Sequence, residues 1–186
     1  MRFDYFDSVM RMSRLIIALL LAVATLSSCV DKKANAAISL AESLMEDTPD
    51  SALVVMETID TSRLAGKAQR ARYSLLYSMA LDKNYIDTAD TRVIMPAVRY
   101  YNNHGTPDEK MKSLYYFGRV QYNAGEYNKA IVSYTEASKC SGKSDDDKYI
   151  GLVYNAIGMI LCNTYSDIDG KELVIDKYSI PLSILR

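Results

Sequence analysis

The stretch that most constrains the fold is residues 111–139, MKSLYYFGRVQYNAGEYNKAIVSYTEASK. Leu114, Phe117, Val120 and Gln121 fall at i, i+3, i+6 and i+7, which gives a helix with one mostly apolar face. Ala124, Gly125 and Glu126 interrupt it, and Gly125 suits a tight turn. Tyr127, Ala130, Ile131, Tyr134 and Ala137 then repeat the helical spacing. Two helices joined by so short a turn lie antiparallel. Gly118, Ala130 and Ala137 are small residues on the apolar faces, where a bulky side chain would hold the helices apart. Glycine inside a helix costs about 1 kcal/mol against alanine, so Gly118 is expected to have a packing reason.

The same pattern recurs along the chain. Ala37, Leu40, Ala41 and Leu44 make a helical stripe within 34–47. Thr48, Pro49 and Asp50 break it, and Asp50 or Ser51 can cap a second run with Ala52, Leu53, Met56 and Ile59 on one face. Residues 65–83 predict a longer helix with Tyr73, Leu76, Tyr77 and Ala80 buried. A polar connection, DKNYIDTAD, leads to a helix over 92–102 with Pro96 in its first turn. From Tyr149 another hairpin begins: Tyr154, Ile157, Gly158 and Leu161 reproduce the spacing of Leu114, Phe117, Gly118 and Gln121, 40 positions on. The polar loop 138–148 separates the two. After Asn163 no second helix of this type follows, and Pro181 would break one. The tail 164–186 therefore reads as diverged or truncated, and an uncapped end of this kind predicts self-association.

The fixed offsets Leu114-x2-Phe117-Gly118 and Ala130-x3-Tyr134-x2-Ala137 resemble the tetratricopeptide repeat (TPR). Leu114 stands where that family usually has Trp, and no Pro closes the unit. The resemblance covers 34–163 and implies an all-α, TPR-like solenoid of three to four antiparallel helical hairpins. Residues 80–90, ALDKNYIDTAD, with the following YYNNHG, resemble the N-terminal repeat regions of bacterial TPR lipoproteins and membrane-bound regulators. By resemblance, the first helices of such repeats line a groove. Its candidate residues here are Lys112, Tyr115, Arg119 and Tyr122, one stripe beside the buried one, with Asn155 and Met159 from the next hairpin. Tyr and Arg are favoured where partners bind, and Arg119 could hold a carboxylate. The alternative stays open that Tyr115 and Tyr122 pack against neighbouring repeats. The set does not reproduce the carboxylate clamp of chaperone-binding repeats.

The N-terminus predicts export. Residues 15–26, LIIALLLAVATL, are too few to span a bilayer as a helix. Arg11 and Arg14 precede them, and Ser27, Ser28 and Cys29 follow, so 1–28 reads as a signal peptide. Leu26-Ser27-Ser28-Cys29 resembles a bacterial lipobox, which implies lipidation of Cys29 and a short anchored linker over 29–33. Asp4 and Asp7 sit in a region that should be positive, which favours translation starting at Met10 or Met12. The residues after Cys29 imply, by resemblance, the outer membrane facing the periplasm.

Other chemistry is thin. The net charge of −1 argues against a nucleic-acid surface. One His, His104, at a helix end makes neither a metal site nor a catalytic triad. Cys140 and Cys162 read as independent thiols, although the periplasm permits a disulfide. Asp167, Asp169 and Gly170 make half of a calcium loop, but Tyr165 replaces a needed ligand and Asp176 the closing Glu. The expectation is therefore no catalytic residue, metal or cofactor. A non-catalytic, lipid-anchored scaffold for a protein or peptide partner follows. The alternative is a sensory or regulatory fragment of a longer membrane-bound regulator.

Overall fold

The computed structural model describes residues 32–166, with side chains to 163. The signal segment, Cys29, and the tail with Asp167, Asp169 and Asp176 lie outside the described residues, as does the side chain of Tyr165. Seven α-helices and no strand occur among the described residues. They are α1 (32–44), α2 (Pro49–Glu57), α3 (Gly66–Lys83), α4 (Met95–His104), α5 (Pro107–Asn123), α6 (Tyr127–Ser138) and α7 (Asp147–Ser166). Short 3₁₀ turns at Thr61–Arg63 and Ser141–Lys143 sit between α2 and α3 and between α6 and α7. The fold is all-α.

Local chemistry sets the ends. α5 starts earlier than its apolar pattern because Thr106 and Glu109 form a capping box. The Thr106 hydroxyl accepts from the Glu109 amide at 3.2 Å, and the Glu109 carboxylate accepts from the Thr106 amide at 2.8 Å. Pro107 takes the first helical position. Pro49 does the same for α2, so the cap position is Thr48 rather than Asp50 or Ser51. Pro96 lies in the first turn of α4, which begins at Met95 and leaves Arg92 and Val93 in the preceding turn. α5 closes with a Schellman motif: Gly125 has φ 73°, its amide donates to the Tyr122 carbonyl, and the Glu126 amide donates to the Gln121 carbonyl, both at 2.9 Å. α3 closes the same way on Tyr85, at φ 58°, where a side chain is costly.

Each helix from α2 to α7 packs on the next, and α3, α5 and α7 also touch one another in turn. α1 lies beside α3, through Asn35 with Gln69 at 3.0 Å and Ser39 with Arg72 at 3.1 Å. Because α3 and α5 have neighbours on several sides, their buried residues run most of the way round. On α3 these include Ala71, Leu75, Leu76, Met79 and Ala80, while Tyr73 and Tyr77 are only half-buried. On α5 they are Met111, Ser113, Tyr115, Tyr116, Gly118, Val120 and Gln121, with Leu114 and Phe117 half-buried. The buried Gln121 carbonyl accepts from the Ser133 hydroxyl at 2.6 Å, which satisfies both across the α5–α6 contact.

Two faces differ from expectation. α1 buries Ile38 and Ala41, and Met45 is buried just past its end, while Leu40 is 51% exposed. Ala37 and Leu44 lie half-buried at the edge of that face. On α6, Ala130, Ile131, Tyr134 and Ala137 are buried as their spacing requires, but Tyr127 is exposed at the helix start. Gly118 has the expected packing reason: a Cβ there would lie 2.4 Å from the Tyr134 ring.

Candidate partner-binding face

The side of the molecule where α1, α3, α5 and α7 run side by side is built from charged residues and tyrosines. Adjacent helices are tied by ion pairs, two of which share one offset, while Arg72 on α3 meets Glu42 on α1 at a spacing of 30. Lys83 on α3 meets Glu46 at 3.1 Å, and Arg119 on α5 meets Asp82 on α3 at 2.8 Å; each pair is separated by 37 positions. Lys112 on α5 meets Asp146, which precedes α7, at 2.7 Å. Its ammonium also sits 4.7 Å from the centroid of the Tyr149 ring. Glu46 further accepts from Lys148, 102 positions away, so one carboxylate joins the end of α1 to the start of α7.

These contacts set the electrostatics. The hydrogen bond from Lys148, reinforced by Lys83, holds the Glu46 carboxyl below its ordinary range against the opposing effect of burial. Burial works to raise the Asp146 carboxyl, but Lys112 and the Tyr149 amide outweigh it and hold it low. That amide donates to Asp146 at 3.2 Å, so Asp146 also caps α7. For Arg119, burial is outweighed by Asp82, and the guanidinium is held more firmly protonated than usual.

The candidate residues divide three ways. Tyr115 is 6% exposed and is a core residue, not an outward one. Its ring centroid lies 5.1 Å from that of Tyr116, 5.8 Å from Tyr134 and 5.9 Å from Tyr149. Burial pushes its phenol up to about 12. Beside it the hydroxyls of Tyr116 and Tyr149 share a hydrogen bond at 2.8 Å, closing a tyrosine cluster between α5, α6 and α7. Lys112 and Arg119 do reach the outer face, but as the cations of the ion pairs just described. Tyr122 is half-buried; its hydroxyl accepts from Asn163 on α7 at 3.4 Å, and its ring meets Tyr127 edge-on. Asn155 and Met159 are exposed on α7, and the Asn155 amide approaches the Met159 sulfur at 3.9 Å.

The packing residues divide as well. Gly118, Ala130, Tyr134 and Ala137 form the α5–α6 contact. Tyr154 is half-buried and its hydroxyl lies 3.2 Å from that of Ser141. Gly158 has no described atom within 4 Å of a Cβ placed on it. Cys140 is buried and Cys162 exposed, both as free thiols, and burial pushes the Cys140 thiol up.

Asp82, Glu46 and Asp146 were not among the candidate residues read from the sequence. A signal existed: opposite charges at the same spacing of 37, 46 with 83 and 82 with 119. Nothing in the sequence pointed to Lys148, whose partner is in the first helix pair. Among the described residues no group of three His, Cys, Asp or Glu side chains could hold a metal ion, and no helix is long and apolar enough to cross a membrane. No family model, curated protein or solved structure matches the chain.

Proposed function

We propose that the chain is a TPR-like solenoid of three to four antiparallel helical hairpins. It works as a non-catalytic scaffold, anchored by a lipid on Cys29, that binds a protein or peptide partner on the face of its first helices. The observation that carries the reading is the pair of 37-residue offsets between those helices. Identical spacing of cross-helix pairs is what stacked repeat units produce. The sequence pattern at Gly118 and Tyr134, with their ring-on-backbone contact, supports the same reading. The lipobox-like Leu26-Ser27-Ser28-Cys29 supports the anchor, in the outer membrane facing the periplasm. Confinement to a membrane raises the effective concentration of partners held there.

On this reading the accessible groups are Asn155, Met159 and the half-buried Tyr122, with the Lys112 and Arg119 ion pairs beside them. A partner carboxylate would have to displace Asp146 or Asp82, so polar contacts there favour specificity over raw affinity. The test is affinity capture from native membranes with the full chain, comparing wild type with Asn155→Ala, Met159→Ala. A specific protein recovered by the first and depleted about tenfold in the second supports the reading. Equal recovery by both, or no specific protein, contradicts it. Incorporation of labelled palmitate, lost in Cys29→Ser, tests the anchor separately.

A further inference from the structure

A second face of α3 carries a different arrangement. Arg70, Tyr73 and Tyr77 fall at i, i+3 and i+7 and so form one stripe. At about 100° per residue, Tyr77 lies about 140° round the helix from Asp82, away from the ion-paired face. The 3₁₀ turn after α2 and the start of α4 flank this stripe and enclose a cleft of ≈ 540 Å³. Such a volume is in the range of ordinary ligand sites. Leu64, Val93 and Pro96 supply its apolar walls.

Arg70, Tyr73 and Tyr77 bring donors to this cleft, while the Ser62 and Ser74 hydroxyls in its lining already donate to Asp60 and to the Val93 carbonyl. Arg70 donates its Nε to the Leu64 carbonyl at 3.2 Å, which fixes the guanidinium, and makes no ion pair among the described residues. The Tyr73 and Tyr77 rings stack with centroids 5.6 Å apart and planes 21° from parallel. Neither hydroxyl has a hydrogen-bond partner among the described residues. Arg92 at the rim is held by Asp90, and no carboxylate lines the cleft. A fixed guanidinium with free Nη groups, next to a stacked aromatic pair and a proline, suits a carboxylate beside a flat apolar group.

We propose that this cleft binds an acidic peptide segment of a partner protein. Arg70 takes an Asp or Glu carboxylate, and Tyr73 and Tyr77 take the apolar or proline side chain that follows. The stripe from Arg70 to Tyr77 is about 10 Å long, the length of roughly three extended residues, which favours a peptide over a single small molecule. Arg92 is already paired with Asp90, so the charge complementarity comes from Arg70, which no carboxylate pairs among the described residues. The site is separate from the first-helix face, and neither reading depends on the other.

The test uses the full chain in detergent and two pools of fluorescein-labelled pentapeptides. One pool has Glu fixed at the second position with Pro, Leu or Phe at the third and fourth; the other has Gln in place of Glu. Fluorescence anisotropy is expected to show the Glu pool binding at least about tenfold more tightly, with that preference lost in Arg70→Gln and partly kept in Arg70→Lys. A circular dichroism melt of each variant reports folding. Asn155→Ala, Met159→Ala should bind the Glu pool as wild type does, which separates this site from the first-helix face. Equal binding of the two pools, no binding of either, or an unchanged preference in folded Arg70→Gln overturns the proposal.

Discussion

Gly118 on α5 and Gly158 on α7 stand at the same place in the repeated pattern, yet their surroundings differ. At Gly118 the Tyr134 ring of α6 lies where a Cβ would go, 2.4 Å away. At Gly158 no described atom lies within 4 Å. The same residue type therefore has opposite consequences. In the α5–α6 hairpin, glycine permits close approach and the helix tolerates its propensity cost because packing offsets it. On α7 that cost has no offset within the described structure. A repeated motif marks where a partner helix can sit; the contact itself has to be supplied by that helix.

The largest expected effect comes from attacking the filled side of the comparison through pH. Burial pushes Tyr101 and Tyr115 up to about 12, and Tyr116, Tyr134 and Tyr149 are raised as well. A tyrosine in the unfolded chain titrates near 10. Stability from these groups is fully present below that pH and is lost as pH rises from about 10 towards 12. Denaturant midpoints should hold steady up to about pH 10 and then fall steeply, in step with tyrosinate absorbance. A midpoint that does not change up to pH 12 would separate the tyrosine cluster from stability.

Tyr134→Ala should leave Gly118 without its covering ring, as Gly158 is among the described residues, at a cost of about 3–5 kcal/mol for a fully buried aromatic. Urea denaturation measures it, and a loss under about 1 kcal/mol would mean that the ring contributes little to the contact. Arg119→Met leaves Asp82, which is largely shielded, without its cation. The expected loss is about 1–2 kcal/mol, between the values for exposed and buried pairs. A double-mutant cycle with Asp82→Asn checks that the two residues act together.

A smaller contrast concerns the two Schellman ends. Gly125 closes α5 without strain, whereas Tyr85 closes α3 with its side chain 93% exposed and its backbone left-handed. Tyr85→Gly should raise stability by about 1 kcal/mol, and a loss would show that the Tyr85 ring contributes a contact of its own.

Helix positions were largely legible because apolar spacing and breakers such as Pro49, Gly105 and Gly125 act locally. The assignment of faces was less so. On α5 two adjacent stripes both contain tyrosine, and α5 is covered by α4 and α6 and touched by α3 and α7, so spacing alone could not say that Tyr115 points inward and Phe117 lies at the edge. Tyrosine makes this ambiguity worse, since its ring suits a core and its hydroxyl suits a surface. On α1, Leu40 is exposed although its spacing fits a buried stripe. Of the candidate face, Lys112 and Arg119 were legible as outward cations. Their acids, Asp146 before α7 and Asp82 on α3, lie far off in sequence and become visible only when the helices are set side by side.

The most direct test of the contrast between the two glycines is to place the same methyl group at each and compare denaturation midpoints. Gly118→Ala should lose about 1–3 kcal/mol, because the Tyr134 ring and its helix must move. Gly158→Ala should gain about 0.5–1 kcal/mol, because helix propensity improves and no described residue occupies the space of the added methyl. Opposite signs are the predicted result; a stabilising Gly118→Ala, or equal changes at both positions, would contradict it.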